Sequence, residues 1–179
     1  AVRDRATPGV AVPKYSAGVL LHRHVDGVAE VLIGHPGGPF WARKDDGAWS
    51  IPKGEYDPDT DDAWDAARRE FAEELGSDVP QGVRIEFDAV KQPSGKVLTV
   101  FAVEADLDVT GGAQSNTFTL EWPKGSGGRM QEFPELDRVG GWFPVARARR
   151  KLLKGHVVFL DRLMAHLPGL DEGDPEPEG

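Results

Sequence analysis

Two periods of apolar residues can be read along the chain, one short and one helical. In YSAGVLLHRH and VAEVLIG the apolar residues follow one another closely. The Asp26-Gly27 pair between the runs predicts a tight hairpin, because glycine accepts the positive φ such turns require. Strands are expected near 15–24 and 28–34. HPGGPFWARKDDGAWSIPKGE then reads as a long loop with a short extended piece around 49–51. VRIEFDAVK (83–91) and VLTVFAVEA (97–105) predict two further strands. In NTFTLEW, Phe118, Leu120 and Trp122 alternate with polar residues as in a half-buried strand, and GGWFPV predicts one more. The helical period governs 62–75, where Trp64, Ala67, Phe71 and Leu75 fall on one stripe at about 100° per residue. VARARRKLL and HVVFLDRLMAHL predict two amphipathic helices, with Gly155 as the break between them. Strands on both sides of a central helix, with helices at the end, predict an α+β fold: a mixed β-sheet sandwiched between helices. There is no internal repeat.

Composition narrows the classes of function. A chain of 179 residues suits one domain, expected here over 14–168. Residues 1–13, rich in proline, glycine and charge, read as a flexible N-terminus, and 169–179, ending DEGDPEPEG, as an acidic disordered tail. The absence of cysteine excludes disulfides and thiolate metal sites. A formal charge of -9 argues against nonspecific nucleic-acid binding and against an acidic membrane surface, since both depend on clustered lysine and arginine. It leaves open a polyanion bound through a metal cation. No apolar run approaches the ~20 residues of a membrane span, and AVRDRATPGVAVPK lacks the apolar core of a secretion signal, so a cytoplasmic protein is expected.

The central helix is where charge becomes chemistry. Asp59-Thr60-Asp61-Asp62 supplies N-caps and acidic groups for the positive end of the helix dipole, and Gly76 suits a left-handed C-terminal cap. Glu70 and Glu74 are one turn apart and Glu73 sits between them, so the carboxylates share one face beside the apolar stripe. Like charges at i and i+4 destabilise a helix by roughly 0.2–0.5 kcal/mol, which calls for solvent screening or a cation. Arg68 and Arg69 neutralise part of the charge, and Mg²⁺ or Mn²⁺ is the usual ligand of converging carboxylates. Taken alone, such a helix face is more often a solvated surface.

GEYDPDTDDAWDAARREFAEELG (54–76) resembles the signature of the Nudix hydrolases. Its second half matches residue for residue at Arg69, Glu70, Phe71, Glu73, Glu74 and Gly76, and WSIPKGE (49–55) resembles the family's approach to the motif. The resemblance covers about 15–167 and implies the Nudix-type α/β/α sandwich. The stretch departs from the family twice. Gly54 and Arg69 are separated by one residue more than the family spacing, and Asp61 stands eight before the arginine where a glutamate is expected. The extra residue is assigned to the Asp57–Thr60 turn, because a turn absorbs an insertion at little cost. The missing glutamate is chiefly structural in the family.

The resemblance implies metal-dependent hydrolysis of a pyrophosphate bond in a nucleoside diphosphate linked to another moiety. Glu70 and Glu74 are then the first choices as metal ligands, with Glu73 and the Lys53 backbone carbonyl completing the shell around Mg²⁺ or Mn²⁺. Arg69 would orient the carboxylates through a bidentate pair. The general base is left open between a signature glutamate, here Glu70, and a carboxylate on a later loop, for which Glu132 and Glu135 are candidates. Lys53 is a candidate phosphate contact. Phe40, Trp41 and Trp49 are candidates to stack on a base, Trp41 foremost, with a core role equally open for Trp49. His22, His24, His35, His156 and His166 show no metal spacing. The compact layout points to a nucleoside or dinucleoside polyphosphate. Pro93 keeps an ADP-ribose or nucleotide-sugar pyrophosphatase as the alternative, and no tyrosine other than Tyr15 and Tyr56 is present to favour diadenosine polyphosphates. A non-catalytic nucleotide sensor is the reading of another class, and a homodimer is possible because Nudix domains often dimerise.

Overall fold

The computed structural model describes residues 13–109, 117–121, 124, 125, 127, 130–134 and 136–176. Strand β1 (Tyr15–Val25) turns at Asp26 and Gly27, with φ of 50° and 78°, into the antiparallel β2 (Val28–Pro36). Positive φ at both positions is the mirror-image turn that matches strand twist. β1 also pairs in parallel with β6 (Val97–Glu104), from Tyr15↔Val97 to His22↔Glu104. The main path of the sheet runs β4-β6-β1-β2-β9, where β4 is Arg84–Glu86 and β9 is Leu136–Pro144. On its β2 side β1 changes partner: residues 22–25 pair β2, and 15–18 pair a short strand β3 (Lys53–Tyr56). That fork draws the start of the charged segment into the middle of the sheet.

β1 buries both faces, which is why its apolar residues run on without strict alternation. Ala17, Val19 and Leu21 pack with Ala66, Ala67 and Phe71 of helix α1 (Ala63–Leu75) and with Phe101 and Val103. Leu20 faces the other way, into a core of Val31, Ile33, Trp49, Ile51, Leu98 and Val100. That core is closed by Val145 and Ala148 of α2 (Val145–Lys151) and by Phe159, Leu160 and Leu163 of α3 (Val157–Ala165). The molecule is therefore the expected α/β/α sandwich around a mixed sheet.

Several elements differ from expectation. The strand expected over 83–91 is two pieces, β4 and β5 (Val90–Lys91), both on β6. Between them Phe87 still donates to the Val100 carbonyl of β6, and Arg162 of α3 donates to the Asp88 carbonyl. β3 was unforeseen because KGEY is too short and polar to show a period. RMQEFPELD, expected as a loop, contains β8 (Met130–Pro134), which pairs β7 (Thr117–Glu121) in a separate two-stranded ribbon. β9 is longer than GGWFPV. Gly155 lies in a single 3₁₀ turn (Lys154–His156) that leads into α3.

The acidic end, expected to be disordered from 169, is tied down as far as residue 176. Asp171 donates to the Gly27 carbonyl and accepts from Ala29, and Arg149 grips Glu172 with two nitrogens at 2.6 and 3.2 Å. Arg150 pairs Glu176 at 2.8 Å. The acidic residues meet the basic last turn of α2, a complementarity no local pattern displays. Residues 1–12 and 177–179 lie outside the described residues. Among those described, no helix is long and apolar enough to cross a membrane.

Candidate functional site

Helix α1 is positioned from both ends by its own residues. Of the possible caps, Asp62 takes the role, accepting from Trp64 and Asp65 at 3.1 and 3.2 Å, and Gly76 ends the helix at φ 76°, its N–H on the Ala72 carbonyl. The preceding turn is knotted on Asp57, whose carbonyl accepts from Thr60 and Asp61 at 3.2 and 3.0 Å and whose side chain accepts from Asp59. This is the turn to which the extra residue of the segment is assigned.

Gly54 and Glu70 show why the segment needs a glycine where β3 passes the helix. A Cβ built on Gly54 would lie 2.0 Å from the Glu70 carboxyl, so only a residue without a side chain lets that group settle against the strand. The Glu70 side chain is 17% exposed as a result. Arg69 stands beside it. Its Nη1 binds Asp61 Oδ2 at 2.6 Å and its Nε is 4.0 Å from Glu70 Oε1. The hydrogen bond to Asp61 is the main cause that raises the Arg69 pKa, with Glu70 and Glu73 adding to it. The bidentate pair expected of Arg69 is thus replaced by a span from Asp61 to Glu70.

Lys53, next to Gly54, links this arrangement to a cavity of about 430 Å³ lined by Ser16, Lys53, Gln92, Lys96, Lys154 and His156 among others. Burial pulls the Lys53 ammonium below the ordinary lysine value. The nearby charge of Glu74 opposes this and that of Lys96 reinforces it. His156 accepts a hydrogen bond at Nδ1 from the Ile51 amide at 3.2 Å, which leaves its proton on Nε2. Burial lowers its pKa to about 3, and the Lys53 charge acts in the same direction. His156 is therefore a neutral donor at any ordinary pH.

The other expected site residues are scattered. Glu73 and Glu74 are half-buried on α1. Glu132 is exposed on β8 opposite Thr119 and is not among the described residues that line the cavity. Glu135 lies outside the described residues. Trp41 is half-buried in the turns after β2, edge-on to the exposed Phe40, with the Lys44 ammonium 4.9 and 4.0 Å from the two ring centres. Neither ring lines the cavity. Trp49 is a core residue, packed edge-on against His35 and Phe143 and donating to Asp45. Sequence reasoning missed Lys96, Lys154, Gln92 and His156, whose only sequence signal was the turn residues around them.

Carboxylate and carbonyl oxygens are the donors that Mg²⁺ and Mn²⁺ accept. Glu70, Glu74, Glu73 and the Lys53 carbonyl are the oxygens available here, and the cradle at Gly54 keeps the Glu70 carboxyl against the strand. Among the described residues, no three or more His, Cys, Asp or Glu side chains are gathered into a metal cage. This donor set fits an ion held by one or two carboxylates and completed by water and phosphate, as Mg²⁺ commonly is.

Comparison with known proteins gives the same picture. The NUDIX domain model matches residues 7–167. Among solved structures, the NUDIX domain of Shewanella oneidensis NrtR complexed with ADP ribose is similar at 16% identity and a TM-score of 0.59, over 90% of this chain and 94% of that one. A C. elegans Ap4A hydrolase binary complex is similar at 20% identity and 0.53, over 87% and 99%. A mutT/nudix family protein from Listeria innocua is similar at 16% and 0.53, over 88% and 96%. These likenesses are of fold. No curated protein matches the chain.

Proposed function

The chain belongs to the Nudix family and is a Nudix pyrophosphohydrolase; from that premise we propose that it cuts a pyrophosphate bond of a nucleoside or dinucleoside polyphosphate with the help of Mg²⁺ or Mn²⁺. The observation that carries this reading is the seating of the Glu70 carboxyl against Gly54, with Arg69 spanning Asp61 and Glu70. Glu70 and Glu74 hold the ion, with Glu73 and the Lys53 carbonyl beside them. A divalent ion so bound neutralises phosphate oxygens and makes water more acidic.

The chain's own groups supply the rest. Glu70 takes the proton as water attacks phosphorus and the anhydride P–O bond breaks. Arg69 positions Glu70 without touching substrate. The Lys53 ammonium meets phosphate charge on the cavity side, where partial burial strengthens the attraction. Glu132 is set aside as base because it is exposed on the ribbon and is not among the described residues that line the cavity. A panel of nucleoside triphosphates, dinucleoside polyphosphates and ADP-ribose, assayed with each metal, tests the reading. Turnover of the polyphosphates that Glu74→Gln abolishes supports it. Turnover unchanged in that variant overturns the metal assignment, and preference for ADP-ribose overturns the substrate class.

A further inference from the structure

The cavity beside Lys53 collects charge from three separate parts of the chain. Lys53 comes from β3, Lys96 from the turn before β6, and Lys154 from the turn before α3. In a protein of net charge -9 this grouping makes a local positive field. Lys96 is held by Glu55 at 2.8 Å, whereas among the described residues neither Lys53 nor Lys154 forms an ion pair. Lys53 and Lys154 thus face one cavity with no direct ion pair among the described residues, while the charges of Glu74, Glu55 and Glu70 act on Lys53 from a distance.

The remaining lining tells what kind of group would fit. Leu98, Leu153 and Pro93 are apolar, which excludes some water and strengthens charge interactions at the lysines. Ser16, Ser94, Gln92 and the Nε2–H of His156 are neutral hydrogen-bonding groups on the same wall. Gln92 is itself braced, donating to the Gly155 carbonyl at 3.1 Å. Among the described residues no phenyl or indole ring lines the cavity. Its volume of about 430 Å³ exceeds that of a single phosphate with its contacts.

We propose that this cavity is a phosphate subsite, in which Lys53, Lys96 and Lys154 receive the far phosphates of the substrate chain while the scissile bond lies toward Glu70 and Glu74. The inference rests on the pyrophosphohydrolase reading above and deepens it. The subsite selects substrates with three or more consecutive phosphates over a diphosphate flanked by sugars. Lys53 is the joint between the two halves, its backbone beside Gly54 and its side chain in the cavity.

Inorganic tripolyphosphate, titrated by calorimetry into the full chain without metal, tests the subsite apart from turnover. Wild-type protein binds it, Lys154→Gln weakens binding about tenfold, and Lys96→Gln with Lys154→Gln weakens it further. In turnover, Lys154→Gln raises KM for a nucleoside triphosphate about tenfold, leaves kcat within twofold, and leaves KM for ADP-ribose unchanged. Lys154 is exposed, so the variant keeps its thermal midpoint. No binding by the wild type, or equal binding and equal KM in the variants, overturns the subsite. Tripolyphosphate binding that depends on these lysines, with no hydrolysis of any substrate, sinks the hydrolase reading and leaves the subsite standing.

Discussion

The signature helix and the lysine cavity meet at Lys53 and are built in opposite ways. The helix side is contiguous: cap, turn, arginine span and carboxylates all come from Gly54–Gly76, and its key contacts join near neighbours, Asp61 with Arg69 and Asp62 with Trp64. The cavity side is assembled from residues near 16, 53, 92–98 and 153–156, which meet only because β1, β3, β5 and β6 share a sheet and α3 packs over it. A local site keeps its geometry when the rest of the fold is perturbed slightly. An assembled site takes its selectivity from long-range packing.

Substitutions on the two sides separate these behaviours. The largest effect is expected at the carboxylates: Glu70→Gln lowers kcat by roughly 10²–10⁴-fold, with far-UV circular dichroism unchanged. Gly54→Ala comes next. Its methyl group meets the Glu70 carboxyl at 2.0 Å, and displacing that group by about 1 Å lowers turnover on the order of 10²-fold. Urea unfolding of the same variant shows little loss, because the group displaced is the far end of a flexible side chain.

The cavity side answers to pH. Burial lowers the His156 pKa from the ordinary 6.5 to about 3, so between these values the unfolded chain binds a proton that the native chain does not. Its contribution to stability is complete above 6.5 and is lost as pH falls toward 3, by up to about 1.4 kcal/mol per pH unit. Urea midpoints measured across that window show the slope, and His156→Asn flattens it. The smallest effect is expected at Asp61→Asn. The Asp61 and Arg69 side chains are 25% and 44% exposed, so solvent screening limits the stability loss to about 1 kcal/mol or less. A fall of only a few-fold in kcat, with KM steady, would mark Arg69 as a positioning residue. A loss as large as that of Glu70→Gln would show that the span is part of the catalytic group itself.

Much of the fold was legible because its signals are local. The Asp26-Gly27 hairpin, the stripe of Ala67, Phe71 and Leu75, and the cap at Gly76 each depend on a few adjacent residues, and each appears as expected. The illegible parts have partners far away. β3 is a strand because β1 lies beside it, β8 because β7 does, and the acidic end is ordered because Arg149 and Arg150 wait for Glu172 and Glu176. Trp49 and Trp41 were alike as sequence, two tryptophans in one loop. Only packing made one core and left the other half-buried under Lys44.

By itself the sequence determined the helix, its ends, the grouping of Glu70, Glu73 and Glu74 on one face, and the family that this pattern marks. These follow from backbone periodicity and capping, which act over a few residues. The tertiary structure alone decided that Gly54 would cradle Glu70 and that Lys53, Lys96 and Lys154 would share a cavity. Those depend on which strands pair and which helices cover them, and burial of apolar surface across the whole chain makes that choice.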